Sequence, residues 1–471
     1  MVDDNTETQR SGVGRLVEYG IEDRPDNGKA VALGTQHLLA MFLSTVALPL
    51  VIASAIGLGS ADITFLVQMA LLVAGVATLV QVYPIGPIGA RLPIVMGTSA
   101  IFVSPLIDIG STFGLAAIFG AVIIAAPIEV IIGYFFDDVE KFFPPLVTGI
   151  VVMLVGLTLV PIAIQYSAGV PGTDAFGSLE NLGLAALVLV VALVANQFFT
   201  GFMRSASVLI AVVVGYLAAI PLGLLDLSGV GQAAWFSFPT PLKYGLAFEP
   251  SAIVLVAFAY IITSMETIGD IAGTTEAVGR DPTNEETKGG LVADGVMSAF
   301  AGIFNAFPNT SFSQNVGLIS FTGIASRFVV GITGVFLIVL GLVPKVAAVI
   351  SAMPNPVLGG AAVVLFGMIF SIGLRIITRG SDLTQRNLTI IATSIVLGVG
   401  VEWRSDALAQ LPDDVQVLAT SGLIVGGVTA LLLNAVLPKD VEPLGEGAIG
   451  EPVAGQDEPP ADADPDRGTD D

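Results

Sequence analysis

Long apolar runs alternate with short polar stretches along most of the chain. Most of the runs reach the roughly 20 residues with which a helix crosses about 30 Å of hydrocarbon. The pattern therefore predicts an all-α polytopic membrane protein with about fourteen transmembrane segments. These segments are 31–53, 63–83, 94–106, 111–135, 144–165, 182–200, 204–224, 250–271, 287–306, 311–321, 327–350, 355–377, 387–402 and 416–437.

Two segments, 94–106 and 311–321, are too short to cross a membrane as continuous helices. Both are rich in Gly, Ser, Thr or Asn, and both are flanked by proline. Irregular backbone at membrane depth is tolerated where it lines a cavity instead of facing lipid. Segments three and ten are therefore predicted to be short, broken segments that line a binding cavity.

The two halves of the chain carry an internal repeat. Segments five and twelve align at an offset of 211 residues, and segments four and eleven at 215. The matched pairs include Pro145–Pro356, Gly149–Gly360, Val152–Val363, Leu154–Leu365, Gly156–Gly367, Ser111–Ser326 and Phe113–Phe328. Each segment matches the one seven later, and an odd number of crossings inverts the second copy. The sequence thus predicts a 7+7 inverted repeat.

The amino-acid composition limits the kinds of reactive or metal-binding site that the chain can form. Of 471 residues, 54% are apolar and 12% are charged, half of the roughly 25% that a soluble protein carries. The chain contains no Cys and a single His, which excludes disulfides, thiolate catalysis and multi-His metal sites. A membrane enzyme would have only carboxylates to work with. No cofactor is therefore expected, and the chain is predicted not to be an enzyme.

Lysine and arginine predict the orientation in the membrane. With a cytoplasmic N-terminus and fourteen crossings, fifteen of the 18 basic residues lie inside. Only Lys243, Lys345 and Arg404 then fall outside. Both termini are therefore predicted to be cytoplasmic, in a multi-pass plasma-membrane protein surrounded by lipid. Residues 440–471 hold eleven acids and one base, a net charge of −10, so 439–471 should form a disordered acidic tail.

Ionisable residues inside membrane segments are costly, about 2.5–3.5 kcal/mol even on insertion scales, and few persist without a use. Five candidates are His37, Glu129, Glu266, Asp270 and Asp294. Glu266 and Asp270 stand at i and i+4, so both carboxylates lie on one helix face. Such a pair could bind a polar ligand and exchange a proton, or it could be a structural hydrogen-bonding pair. For Glu129 the structural interpretation is favoured.

The tenth segment contains adjacent amide side chains, Gln314 and Asn315, after helix-breaking Pro308. An extended stretch leading into a half-helix would expose free N–H groups at mid-membrane. Amides add both donors and acceptors. The combination suits a small planar ligand with alternating N–H and C=O groups, although amides also hold membrane helices together.

These residues resemble the nucleobase–ascorbate transporter family, the nucleobase:cation symporter-2 or xanthine/uracil permeases. Its signature fits Gln314-Asn315-x-Gly317-x-x-x-x-Thr322-Gly323. Three further motifs occur in the family's order: Gln36-His37, Glu266-Thr-Ile-Gly269-Asp270 and Asp294-Gly295 followed by Phe304-Asn305-Ala-Phe307-Pro308. The resemblance covers roughly residues 30–437.

The resemblance implies a core domain that moves against a gate domain in an elevator-type, proton-coupled homodimer. It places a cytoplasmic N-terminal tail at 1–29 and the acidic tail at 439–471. Between them, the core comprises 30–136 (segments 1–4) and 250–350 (segments 8–11), and the gate comprises 137–249 (segments 5–7) and 351–438 (segments 12–14).

The resemblance also implies roles for individual residues. Glu266 accepts N–H groups of the substrate, Gln314 binds its other edge, and Ser313 and Ser44 touch it. Asp270, Asp294 and His37 belong to the coupling network, and Asn315 orients segment ten. The chain departs from the family in segment three, where Ala100 stands in place of a common Phe. Either Phe102 turns toward the ligand, or the pocket is larger there, or the ligand differs.

Gln314 with Asp270 is similar to the branch that carries oxidised purines, so xanthine or urate is the expected substrate. An amide at 314 can donate to a purine carbonyl, which an ionised carboxylate cannot. Uracil import is the alternative within the family, and an anion transporter of the sulfate-permease fold is the alternative outside it. The coupling ion is expected to be a proton, with sodium open, and no nucleic-acid partner is expected.

Overall fold

The structure is a computed structural model, which describes residues 18–136 and 144–438. The predicted acidic tail and most of the predicted N-terminal tail lie outside these residues.

The described chain is a succession of helices interrupted by two very short strands. The first half contains α1 (Asn27–Ala55), α2 (Ser60–Val82), β1 (Met96–Thr98), a 3₁₀ turn (Ala100–Phe102), α3 (Val103–Phe113), α4 (Leu115–Ala125), α5 (Pro127–Tyr134), α6 (Pro145–Thr158), α7 (Val160–Ala168), α8 (Leu179–Phe198), α9 (Gly201–Ser205), α10 (Ser207–Ala219) and α11 (Ser228–Gln232). The second half contains α12 (Pro250–Glu276), α13 (Asn284–Ile303), β2 (Asn309–Ser311), α14 (Ser313–Thr322), α15 (Arg327–Gly341), α16 (Pro344–Ser351), α17 (Asn355–Gly380), α18 (Gln385–Trp403), a 3₁₀ turn (Ser405–Leu408), α19 (Asp413–Thr420) and α20 (Gly422–Val436).

The predicted all-α polytopic membrane architecture is confirmed. Among the described residues, seven helical stretches are long and apolar enough to cross a membrane. An eighth results if α15 and α16, which meet at a bend of 81°, form one span. Three further apolar helices are shorter, Ala100–Phe113, Ser207–Ala219 and Gly422–Val436. The exact count of fourteen crossings therefore remains a prediction.

The two short segments are broken in the way that their sequence indicates. Segment three is strand β1 followed by the 3₁₀ turn and α3, and segment ten is strand β2 followed by α14. The strands pair antiparallel, with Met96 opposite Ser311 and Thr98 opposite Asn309. Non-helical backbone in the interior thus finds its hydrogen-bond partners in the other half of the chain.

The helices pack in two groups. Helix α2 lies against α15, and α4 and α5 lie against α12 and α13, whereas α6 lies against α17, α8 against α10, and α18 against α20. A Cβ on Gly75 would meet the Gly334 carbonyl oxygen at 2.6 Å, and one on Gly149 would meet that of Gly373 at 2.7 Å. Small residues therefore let α2 and α15, and likewise α6 and α17, approach backbone to backbone. The division into a moving core and a gate stays a prediction.

The segment before α1 binds the turn between α14 and α15. Tyr19 forms a parallel bridge with Ile324, and the Arg327 amide donates to the Ile21 carbonyl at 3.0 Å. The Glu22 carboxylate pairs with the guanidinium groups of Arg327 and Arg91. Desolvation alone would raise the pKa of Glu22, but the hydrogen bond and charge of Arg327, together with Arg91, hold this pKa below its ordinary value.

The arrangement of loops yields a test of the predicted orientation. The Lys243 ammonium lies 2.8 Å from the Asp62 carboxylate, so residues 243 and 62 lie at the same end of the bundle. Reporter fusions after Lys243 and Arg404 should report the outside, and fusions after Lys288 and Arg386 the inside. A cytoplasmic signal from the Lys243 fusion would contradict the fourteen-segment topology.

Candidate functional site

The site forms where the two broken segments cross. The antiparallel pairing of β1 with β2 leads the chain into the 3₁₀ turn at one end of the strand pair and into α14 at the other, and both regions line one cavity. Ser313 and Gln314 are the first residues of the ten-residue helix α14, so their N–H groups have no partner inside the helix. The N-terminal end of the helix adds a partial positive charge. This position favours acceptor groups, whether of a side chain or of a ligand.

A cavity of about 60 Å³ lies at this crossing. Five of the six residues predicted to contact substrate line it, namely Ser44, Ala100, Glu266, Ser313 and Gln314. Sequence reasoning missed further lining residues on the same side: Leu48, Thr98, Ser99, Ile101, Thr310, Ser311 and Phe312. The Thr98 hydroxyl oxygen is shielded and has no hydrogen-bond partner among the described residues. It is therefore available to a bound polar molecule.

The opposite wall of the cavity is apolar. It is formed by α6 and α17, through Val152, Leu365, Met368, Ile369 and Ile372. No polar side chain from these helices lines the cavity within the part of the chain that the structure describes. Sequence reasoning missed these residues because apolar side chains on a membrane helix look alike, whether they face lipid, another helix or a ligand.

Helix α12 carries both carboxylates of the predicted pair, but they have different surroundings. Glu266 faces the cavity. Asp270, one turn later, is buried and accepts hydrogen bonds from the hydroxyl groups of Ser311 and Ser313, each at 2.6 Å. Asp270 therefore fastens α12 to segment ten behind the site, while Glu266 stays open to a ligand.

Asp294, on α13, is fully buried behind the site. Its carboxylate accepts a hydrogen bond from the Gln81 amide at 2.8 Å and another from the Thr267 hydroxyl. The Gln81 side chain also binds the backbone of Ala90 and Gly290. Asp294 thus links α2, α12 and α13 at one point and does not line the cavity.

His37 and Asn315 contact each other. The Asn315 side-chain nitrogen lies 3.0 Å from His37 Nδ1 and donates to the His37 carbonyl at 3.1 Å. Both residues are buried and neither lines the cavity. The contact fixes α14 against α1, which is the geometry expected of a residue that orients segment ten.

Glu129, for which a structural role is favoured by its sequence position, is fully buried on α5. The Thr263 hydroxyl on α12 donates to one of its oxygens at 2.5 Å, and the other oxygen has no partner among the described residues. The hydrogen bond joins α5 to α12 one helical turn away from Glu266 along the chain. It is consistent with a helix-joining role.

Phe102 does not turn toward the cavity. Its ring is fully buried and packs edge-to-face on Tyr260, with ring centroids 4.7 Å apart. Position 100, where the family commonly has Phe, is a lining alanine. Phe312, from segment ten, lines the cavity instead. The aromatic wall of this cavity therefore comes from the second broken segment and not from the first.

The arrangement can bind a small, flat, polar molecule. One wall offers a carboxylate, an amide, hydroxyl groups and free helix N–H groups, and the other offers only apolar surface. In the described residues no group of three or more His, Cys, Asp or Glu side chains is placed to hold a metal ion.

The chain is similar in sequence and in fold to known membrane transport proteins. A profile described as Permease family matches residues 28–404. The xanthine permease of Bacillus subtilis strain 168 is 38% identical over 87% of this chain and 94% of its own length. The uric acid permease PucK of the same strain is 39% identical over 86% of this chain and 94% of its own length. The transmembrane domain of a cyanobacterial bicarbonate transporter, BicA, shares the fold with a TM-score of 0.62 at 16% identity, over 82% of this chain and 98% of that one.

Close packing at Gly97 gives a test of the contact between the two broken segments. A Cβ there would lie 2.4 Å from the Phe312 ring and 2.5 Å from the Thr45 hydroxyl. Gly97→Ala should therefore destabilise the protein by about 1–3 kcal/mol through overpacking and lower its thermal stability in detergent. Gly269→Ala is the matched control, because nothing lies within 4 Å of the added methyl group. Equal melting temperatures for both variants would contradict the described crossing.

Proposed function

This chain belongs to the nucleobase–ascorbate transporter family, the xanthine/uracil permeases, and from that membership we propose that it imports nucleobases by secondary active transport. The preferred substrates are oxidised purines, xanthine or urate. Two relatives that share more than a third of its residues over most of their length carry the names xanthine permease and uric acid permease. The protein is a multi-pass membrane protein, and the plasma membrane is its proposed location, with both termini in the cytoplasm.

The observation that carries the proposal is the placement of Glu266 and Gln314 on one cavity wall. An ionised Glu266 only accepts hydrogen bonds, so it matches ring N–H groups of a purine. Gln314 can donate to a ring carbonyl and accept from a neighbouring N–H. The unpartnered Thr98 hydroxyl and the free N–H groups at the start of α14 add donors for further carbonyl oxygens. Xanthine and urate present alternating groups of this kind.

The polar lining residues lie in the proposed core and the gate side of the cavity is apolar, and this separation supports an elevator-type motion. Among the described residues, every polar lining group belongs to the helices and strands of the proposed core. The gate contributes apolar lining residues there, Val152, Leu365, Met368, Ile369 and Ile372. A substrate could keep all its hydrogen bonds to the core while the core slides along an apolar surface. The cavity of about 60 Å³ is small beside the 300 Å³ or more of a typical ligand site, so binding requires core and gate to separate locally.

The coupling ion is proposed to be a proton, with sodium as the alternative. Glu266 and Asp270 lie one turn apart on α12. Asp294 on α13 is connected to Asp270 through the hydroxyl groups of Thr267 and Ser311, which lie 3.4 Å apart. Carboxyl groups that share a poorly hydrated site are not all ionised together, so at least one holds a proton during part of the cycle. Asp270 bonds to both Ser311 and Ser313, and its charge can therefore act directly on segment ten.

A homodimer is the proposed assembly.

Uracil import is the second candidate within the family, because Glu266 would serve its N–H groups equally well. The likeness to the bicarbonate transporter concerns the fold alone. A carboxylate in the centre of the site favours a ligand that donates hydrogen bonds over a small anion.

Replacing Glu266 and Asp270 should separate recognition from coupling. Glu266→Gln exchanges one acceptor oxygen for a donor, which leaves a ligand N–H without its partner at a cost of about 1–3 kcal/mol. Binding of xanthine and urate to the purified variant should weaken about tenfold or more. Asp270→Asn keeps the size of the side chain, so binding should persist while gradient-driven accumulation in cells falls. Glu276→Gln, at the exposed end of α12, is the control. Unchanged binding in Glu266→Gln would show that the site lies elsewhere.

Replacing Gln314 should test the choice of substrate. Gln314→Glu removes the amide donor, so affinity for purines with a carbonyl at that edge should fall about tenfold. Competition by unlabelled uracil, xanthine, urate, hypoxanthine and guanine against a radiolabelled substrate measures the order of preference. If uracil already outcompetes xanthine and urate in the parent protein, the purine assignment is wrong and uracil import takes its place.

A further inference from the structure

A second polar cavity of about 250 Å³ lies apart from the candidate substrate site. One side is α3, which continues segment three beyond the 3₁₀ turn, and the other side is the end of α18 together with α19. The lining residues are Asp108, Ser111, Thr112, Glu402, Ser405, Gln416, Val417 and Thr420. In terms of the proposed function, this cavity lies between core and gate, on the side of the outer loops.

Glu402 holds the two sides together. The Ser104 hydroxyl on α3 donates to one carboxylate oxygen at 2.5 Å. The backbone N–H of Gly422, at the start of α20, donates to the other oxygen at 2.6 Å. Both oxygens therefore have donors, which is the environment that stabilises an ionised carboxylate.

Asp108 lies one helical turn after Ser104 on α3, and both line up toward Glu402. One Asp108 oxygen, Oδ2, is shielded from solvent and has no hydrogen-bond partner among the described residues. An ionised Asp108 would thus keep an unsolvated oxygen beside a second negative charge. Removing a charge from water without a partner is costly, and a like charge adds to that cost.

No cation compensates this pair among the described residues around it. Helix α4 and the 3₁₀ turn at 100–102, both packed on α3, contain no titratable residue. Helix α1 carries Lys29 and His37 in its first half, near the opposite side of the bundle, and α12 carries Tyr260, Glu266, Asp270 and Glu276. After Glu402, the exposed Arg404 is paired with Asp406 at 3.0 Å.

We propose that Asp108 is a proton-binding residue at the core–gate boundary, whose bound proton stabilises the closed contact between Ser104 and Glu402. The inference rests on the motion of core against gate in the proposed function. Closure favours the protonated form, because a neutral Asp108 leaves Oδ2 shielded and unpaired beside the ionised Glu402 at a lower cost than a carboxylate does. Separation of the two sides hydrates Asp108, which then releases its proton to the outer solution.

This proposal determines how closure of the contact depends on pH. The closed contact binds a proton more tightly than the open one, so low pH favours closure and rising pH favours opening. Asp108→Asn mimics the protonated form and should hold the contact closed at any pH. Glu402→Gln removes the opposing charge and should also weaken the pH dependence, while it retains an acceptor for Ser104.

The absence of native cysteine makes the test direct. Thr420→Cys places one thiol in the cavity wall. Thr240→Cys, on an exposed outer loop that does not line this cavity, reports the reactivity of an accessible thiol. The measurement is the labelling rate of each thiol in whole cells with a membrane-impermeant maleimide, from about pH 5 to about pH 8. The ratio of the two rates removes the part of the pH dependence that comes from the ionisation of an exposed thiol.

We expect this ratio to rise at least about threefold with pH when Asp108 is present, and to stay low and flat when Asp108→Asn is added. A flat ratio with Asp108 present, or a parent-like rise in the Asp108→Asn background, would overturn the proposal. Melting temperatures in detergent establish that each variant is folded, and Glu402→Gln supplies a second background if Asp108→Asn is not. Purified parent protein that binds no nucleobase would refute the proposed function, whereas the labelling ratio needs no substrate and is judged separately.

Discussion

The structure depends on one constraint, that backbone N–H and C=O groups inside a membrane must find partners within the protein. Strands β1 and β2 each have only three residues, and each would be unpaired alone. Their antiparallel pairing satisfies both and joins the two halves of the chain at the middle of the bundle. It also sets where the 3₁₀ turn and α14 begin, and both line the candidate cavity. The candidate site is thus a by-product of the way in which two broken segments satisfy each other's backbone.

The buried carboxyl groups around the paired strands have different roles. Asp270, Asp294 and Glu129 each accept a hydroxyl hydrogen bond from another element, and so they hold α12 against segment ten, α13 and α5. Glu266 alone of the four faces the cavity. The three hydrogen-bonded carboxylates fix the position of α12. Glu266 is thereby held at the cavity while its own carboxylate stays free for a ligand.

Much of this could be predicted from the sequence, because the patterns involved are local. Hydrophobic run lengths predict the polytopic all-α architecture, and Gly, Pro and amide side chains indicate the two broken segments. The i, i+4 spacing correctly places Glu266 and Asp270 on adjacent turns of one helix. Contacts between distant elements could not be predicted. Nothing near Phe102 in the sequence indicates that its ring packs on Tyr260, and no local pattern distinguishes Leu365 or Ile372, which face the cavity, from apolar neighbours elsewhere on α17.

The segment before α1 has a consequence for how the protein is made. Tyr19 leaves the ribosome well before its partner Ile324, which follows 305 positions later. At about 5–20 residues per second, translation alone separates the two by about 15–60 s. During that interval the segment lacks the turn between α14 and α15 to which it binds, and Glu22 lacks Arg327. This end of the bundle is therefore completed late, by a piece of chain that was synthesised much earlier.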